Sequence, residues 1–118
     1  MKSEWEVYKG KRIFRGRYDH LTLEEVQSEA SAVEKEMVQQ PPNSVLLLID
    51  TAGTDASPEA LRAFKNVARR SNEHVRKSAI LGVTGVRRMI LEIVRRFSGM
   101  ALVPFSDEQE AKDWLVRD

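Results

Sequence analysis

Val45-Leu46-Leu47-Leu48-Ile49-Asp50 is an uninterrupted apolar run that stops on a carboxylate. A strand with one wet face would alternate; this one does not, which predicts a strand covered on both faces, the habit of a parallel sheet. The flanking segments agree. Upstream, Leu23, Val26, Ala30, Val33 and Met37 step by three and four, the stripe of an amphipathic helix. Thr22 with Glu25 makes a capping box, Leu21 can staple onto Val26, and Pro41-Pro42 stops the helix. Downstream, Ser57-Pro58 opens a second helix with a capping hydroxyl and a proline at its first position. Leu61, Phe64, Val67, Ala68 and Ser71 are its expected inner face.

Further out the same alternation continues. Lys9-Gly10 divides the first residues into two strand candidates, Glu4–Tyr8 and Lys11–Arg17, joined by a tight hairpin turn. Ser78 to Val83 reads as another buried strand. Thr84-Gly85 then starts a helix over Gly85–Phe97 with Val86, Met89, Ile90, Ile93, Val94 and Phe97 on one side. Met100 to Phe105 is a last strand, moved to an edge by Pro104. Ser106 with Gln109 caps a final helix that carries Ala111, Trp114 and Leu115. Strands and helices in this order predict an α/β domain over residues 1–118. Its sheet is open, mostly parallel and five-stranded, with an antiparallel N-terminal hairpin strand and four helices.

Composition narrows the function. The chain has 118 residues and no cysteine, so disulfides, thiolate metal sites and cysteine nucleophiles are excluded together. Two histidines leave little to build a metal site on, and no cofactor is expected. Nineteen basic residues against eighteen acidic argue against a nucleic-acid partner. The longest apolar run, Val45–Ile49, is far short of the ~20 residues that cross a bilayer. Met1 to Gly10 lacks the apolar stretch of a signal peptide, and a cytoplasmic protein is expected.

In open α/β sheets, function gathers at the carboxyl ends of the strands. The richest such loop here holds Asp50, Thr51, Gly53, Thr54, Asp55 and Ser57. Asp50-Thr51-Ala52-Gly53 looks like the magnesium loop of a GTPase, but no GxxxxGK[ST] phosphate cradle accompanies it. Asp50 as a receiver-type phosphoacceptor, with Thr84 as its hydroxyl, lacks the lysine that such a site needs after the last strand. A Ser57–His20–Asp arrangement is conceivable, yet Ser57 sits on no GxSxG elbow and its surroundings describe a helix cap. An enzyme is therefore not expected. Residues 41–100 carry ten basic side chains against five acidic, among them the pairs Arg69-Arg70, Arg76-Lys77, Arg87-Arg88 and Arg95-Arg96. These read as solvated helix faces or as a patch for an anion or an acidic partner. Thr84, Arg87, Arg88, Met89, Ile93 and Phe97 form the second candidate group: a core-sealing stripe, a dimer seam, or a gate over an apolar cavity.

The order of motifs resembles a known family. Ile13-Phe14-Arg15-Gly16, the Val45–Asp50 strand, Ser57-Pro58-Glu59-Ala60-Leu61 and Lys77-Ser78-Ala79-Ile80-Leu81-Gly82-Val83-Thr84-Gly85 are followed by Arg96-Phe97-Ser98 and the closing Phe105-Ser106-Asp107-Glu108-Gln109-Glu110-Ala111-Lys112-Asp113-Trp114-Leu115. This is similar to the SpoIIAA-like proteins, bacterial relatives of the STAS domain. The resemblance implies a small α/β domain related to the anti-sigma antagonists and to the CRAL-TRIO lipid-transfer domains. Antagonists proper are phosphorylated on a serine within an Asp-Ser-Ser-Gly-Leu pattern. Asp55-Ala56-Ser57-Pro58-Glu59 stands nearest to it, with Ser57 on that serine but no glycine and a proline directly after. The function so implied is a regulatory or protein-interaction module, self-associating as a homodimer and phosphorylated at a helix N-terminus. The alternative is a carrier or sensor of a small apolar or lipid ligand.

Overall fold

In the computed structural model, which describes residues 1–118, β1 (Glu4–Tyr8) and β2 (Lys11–Arg17) form an antiparallel hairpin. Its two-residue turn holds Lys9 and Gly10 at φ of 50° and 81°, the doubly positive turn that matches strand twist. β2, β3 (Val45–Asp50), β4 (Val75–Leu81) and β5 (Leu102–Phe105) then run parallel, and the sheet order is β1-β2-β3-β4-β5. α1 (Leu23–Met37), α2 (Pro58–Ser71) and α3 (Arg88–Ser98) are the crossovers, and α4 (Glu108–Val116) follows β5.

Each crossover advances one strand in the same direction. Connections of one hand therefore put α1, α2 and α3 on a single face. There Phe14, Leu47, Ile80 and Leu102 pack against Val33, Phe64 and Val94 in the larger core cluster. The opposite face is covered by α4 alone, whose Ala111 and Leu115 lie on Ile13, Leu46, Leu48, Ala79 and Leu81. This explains the unbroken run in β3: Val45 and Leu47 point to the three-helix layer, Leu46 and Leu48 to α4, and all four are buried. The expected fold class is the one observed.

Several expected boundaries shift, each for a local reason. β4 begins at Val75, because Val75 and Lys77 already pair with β3, and it stops at Leu81, because Gly82 turns to φ +81°. β5 begins at Leu102 after Gly99 closes α3 in the left-handed conformation. Asp107, not Ser106, caps α4, accepting from the Glu110 amide. The expected helix over Gly85–Phe97 is a 3₁₀ turn, Gly85–Arg87, followed by α3. Met89, Ile90 and Leu91 are consecutive and span more than half of the helix circumference, so they cannot all face inward, and the buried side of α3 is Ile90, Leu91 and Val94. Val86, Met89 and Phe97, expected on the inner side, are 67%, 52% and 51% exposed, and Ile93 is half-buried against the core.

Candidate functional site

The carboxyl edge is built by three short segments. Asp50 ends β3 on the α4 side of the sheet, where its Oδ1 accepts the Ala52 amide at 3.1 Å and Oδ2 lies 3.7 Å from Arg15. Thr51 turns inward: its Oγ1 donates to the Leu81 carbonyl at 2.7 Å and it is fully buried. The loop then reverses at Gly53, φ +66°, beside the His20 ring. Thr54 is buried with its Oγ1 unpartnered, and its amide bonds back to the Thr51 carbonyl. Asp55 donates its amide to the Leu21 carbonyl at 2.9 Å, fixing the loop to the start of α1.

Ser57 is the N-cap of α2. Its Oγ accepts the Ala60 amide at 3.2 Å and donates to Asp55 Oδ2 at 2.5 Å, while Asp55 Oδ2 also accepts the Ser57 amide. No histidine takes part in these bonds. His20 leans on Gly53 instead, and the structure does not assemble the conceivable Ser57–His20 pair.

The two candidate groups meet in part. Arg87 Nε donates to the Thr54 carbonyl at 2.9 Å, tying the 3₁₀ turn to the Asp50 loop. Gly53, Thr54 and Asp55 on one side and Val86, Arg87 and Met89 on the other frame an open groove of about 760 Å³. Thr84 and Arg88 are exposed nearby in the chain. Ile93 and Phe97 lie further along α3, and Phe97 carries Lys65 and Arg96 over its ring at 5.4 and 5.6 Å. An interior cavity of about 30 Å³ lies between the sheet and the helical layer. Ile90 and Val94 line it, not Met89 and Phe97, and so do Tyr18 and Ser71, whose buried hydroxyls have no partner. Burial pushes the Tyr18 phenol above its ordinary range.

Sequence reasoning missed the ionic cluster beneath the loop. Arg15, 7% exposed, bonds Glu108 at 2.5 Å and lies within 4.0 Å of Glu6, and Lys112 bridges Glu6 at 2.8 Å and Glu108 at 3.2 Å. The Arg15 guanidinium, then Lys112, hold the Glu108 carboxyl down to about 2. A lone arginine in a strand gives no hint of a partner ninety-three residues away.

A five-stranded mixed sheet of this order, with three helices on one face and one on the other, defines a class of small α/β domain, and the comparisons resolve it further. The SpoIIAA-like family model matches residues 15–116, and the chain belongs to the SpoIIAA-like family. A crystal structure of an uncharacterised protein of the DUF3478 family from Shewanella loihica PV-4, described as having a SpoIIAA-like fold, superposes with a TM-score of 0.73. It is 18% identical, and the match covers 96% of this chain and 91% of that one. No curated protein matches. No helix is long and apolar enough to cross a membrane.

Proposed function

We propose that this domain is a non-enzymatic interaction module that docks a protein partner at the carboxyl edge of its sheet. The observation that carries this is the groove between the Asp50–Ser57 loop and the 3₁₀ turn, beside which Val86 and Met89 leave large apolar side chains in solvent. Exposed apolar side chains grouped in this way mark interaction sites. The loop's own polar groups support a non-catalytic reading, because Asp50, Thr51 and Ser57 each spend their bonds on backbone or on a neighbouring carboxylate.

Ser57 supplies the regulation. A phosphoryl group there would meet the amides at the head of α2, which favour anions, but would also face Asp55. Phosphorylation therefore rearranges the Asp55–Ser57 turn at the rim of the groove. The test is photo-crosslinking from position 86 in the cells that make the protein. The expected result is a protein adduct that disappears in Met89→Glu and changes in Ser57→Asp. Adducts unaffected by both substitutions would overturn the reading.

An apolar-ligand carrier is supported by one observation, the interior cavity with the unpartnered hydroxyls of Tyr18 and Ser71. At about 30 Å³ it has room for one or two waters, so a larger ligand would need α3 to move outward.

A further inference from the structure

At the opposite end of the sheet, where β2, β3 and β4 begin, a second cleft of about 320 Å³ opens against the end of α4. Its rim holds Lys11, Arg12, Arg76, Lys77 and Arg117, with Asp118 the sole acid. Lys11 Nζ donates to the Val116 carbonyl at 2.8 Å and to Asp118 at 2.7 Å. Lys77 Nζ donates to the Trp114 and Arg117 carbonyls at 2.5 and 2.9 Å. The two lysines thus close the last turn of α4, where carbonyls lack helical partners.

Those carbonyls accept hydrogen bonds but cancel no net charge. Beyond the Lys11–Asp118 pair, Arg12, Arg76, Lys77 and Arg117 have no carboxylate within 4.0 Å. The crowding is felt: burial first, then Arg117, Arg76 and Lys11, lowers the Lys77 ammonium below its ordinary value. Arginines are suited to phosphate by their forked donors. The two tryptophans nearby are already covered, Trp5 by Arg12 at 4.2 Å and Trp114 by Lys77 at 4.5 Å. No aromatic side chain lines the cleft for a base to stack on, which favours a phosphate chain over a nucleotide or a nucleic-acid strand. The cleft volume lies at the small end of ligand sites.

We infer that this cleft binds a small polyphosphate, an anion with two or more linked phosphates, across Arg12, Arg76 and Arg117. The site shares no residue with the carboxyl-edge groove and stands or falls separately from it.

The probe is inorganic triphosphate, titrated at low and high salt and read through the fluorescence of Trp5 and Trp114, the only tryptophans of the chain. The expected result is saturable, salt-weakened binding that exceeds that of monophosphate. Arg76→Gln and Arg117→Gln should each weaken it about tenfold, the loss of one charge-assisted contact. Both arginines are exposed, so these variants keep their fold, and melting curves verify that. Arg95→Gln, on the separate basic face of α3, should bind as wild type. Absence of binding at low salt, or equal weakening by Arg95→Gln and Arg76→Gln, would overturn the site.

Discussion

The backbone of Ala52 occupies the space that a side chain on Gly82 would need: a Cβ there would lie 2.5 Å from the Ala52 nitrogen and 2.7 Å from its Cα. Gly82 also sits at φ +81°, where other residues are strained. Gly53 is crowded differently, since its Cβ would meet the His20 ring, 2.2 Å from Nδ1. A solvent-exposed ring can swing aside; two packed strand ends cannot. Gly53→Ala should therefore cost about 1–2 kcal/mol, and Gly82→Ala more than about 3 kcal/mol. Urea unfolding of both variants measures the difference, and equal losses would mean the loop after β3 is not anchored on Gly82.

Leu47 sits in the middle of β3, facing the three-helix layer and buried. Truncation to alanine enlarges the space already present beside it and should destabilise by about 2–5 kcal/mol. A loss under about 1 kcal/mol in thermal melts would be out of keeping with a central strand.

The fold was legible wherever one residue's local chemistry decides its structure. The Val45–Ile49 run, the Thr22–Glu25 box and the Ser57-Pro58 start each stand as read, the box with both of its hydrogen bonds. So was the position of the Asp50 loop, because strand ends in parallel sheets collect at one edge. What depends on phase or on distant partners was not legible. Met89 and Phe97 stand outside α3's buried side while Leu91 is fully buried. Periodicity finds an apolar stripe wider than the sheet covers and does not say which of its edges is left in solvent. The bond from Arg87 to Thr54, which joins the two halves of the groove, spans thirty-three residues and belongs to no motif.

Acid should loosen α4. Arg15 and then Lys112 lower Glu108 from its ordinary 4.5 to about 2. A carboxyl lowered in the fold stabilises it above the unfolded value, and that contribution is lost as pH falls from 4.5 toward 2. Glu108→Gln removes it at every pH. Wild type should thus be the more stable protein at neutral pH and converge on the variant near pH 2. Glu25, held down by Lys2, adds an acid limb common to both. Parallel stability curves for the two proteins would remove Glu108 as the clasp.

Ser57 has a structural share that must be separated from regulation. Ser57→Ala removes the cap on α2 and should cost about 1 kcal/mol, whereas Ser57→Asp keeps an acceptor for the Ala60 amide. Chemical denaturation should rank wild type above both variants, since Ser57→Asp keeps the cap but loses the donor to Asp55 and sets a second carboxylate beside it. A phosphoswitch then shows as partner binding that changes in Ser57→Asp and not in Ser57→Ala. If all three proteins bind alike, Ser57 is a cap alone.

The apolar row on α3 decides what sort of partner the module takes. Met89 and Phe97 are exposed, and Arg88, Arg95 and Arg96 surround them with Glu92 the one acid on the helix. A second copy docked on this row would set arginine against arginine, and such a seam would strengthen as salt screens the repulsion. An acidic partner would be attracted, and its docking would weaken with salt. Ile93 is a poor probe, since it is half-buried against the core and Ile93→Arg would disturb the fold as well as any seam. Met89→Glu with Phe97→Glu changes only exposed positions. Small-angle scattering of wild type should give one chain, with a radius of gyration somewhat above the 12.8 Å of its Cα trace, at low and high salt alike. The double variant should scatter identically and lose the crosslinked partner. A larger wild-type particle that grows with salt and returns to one chain in the double variant would make the row a homodimer seam instead.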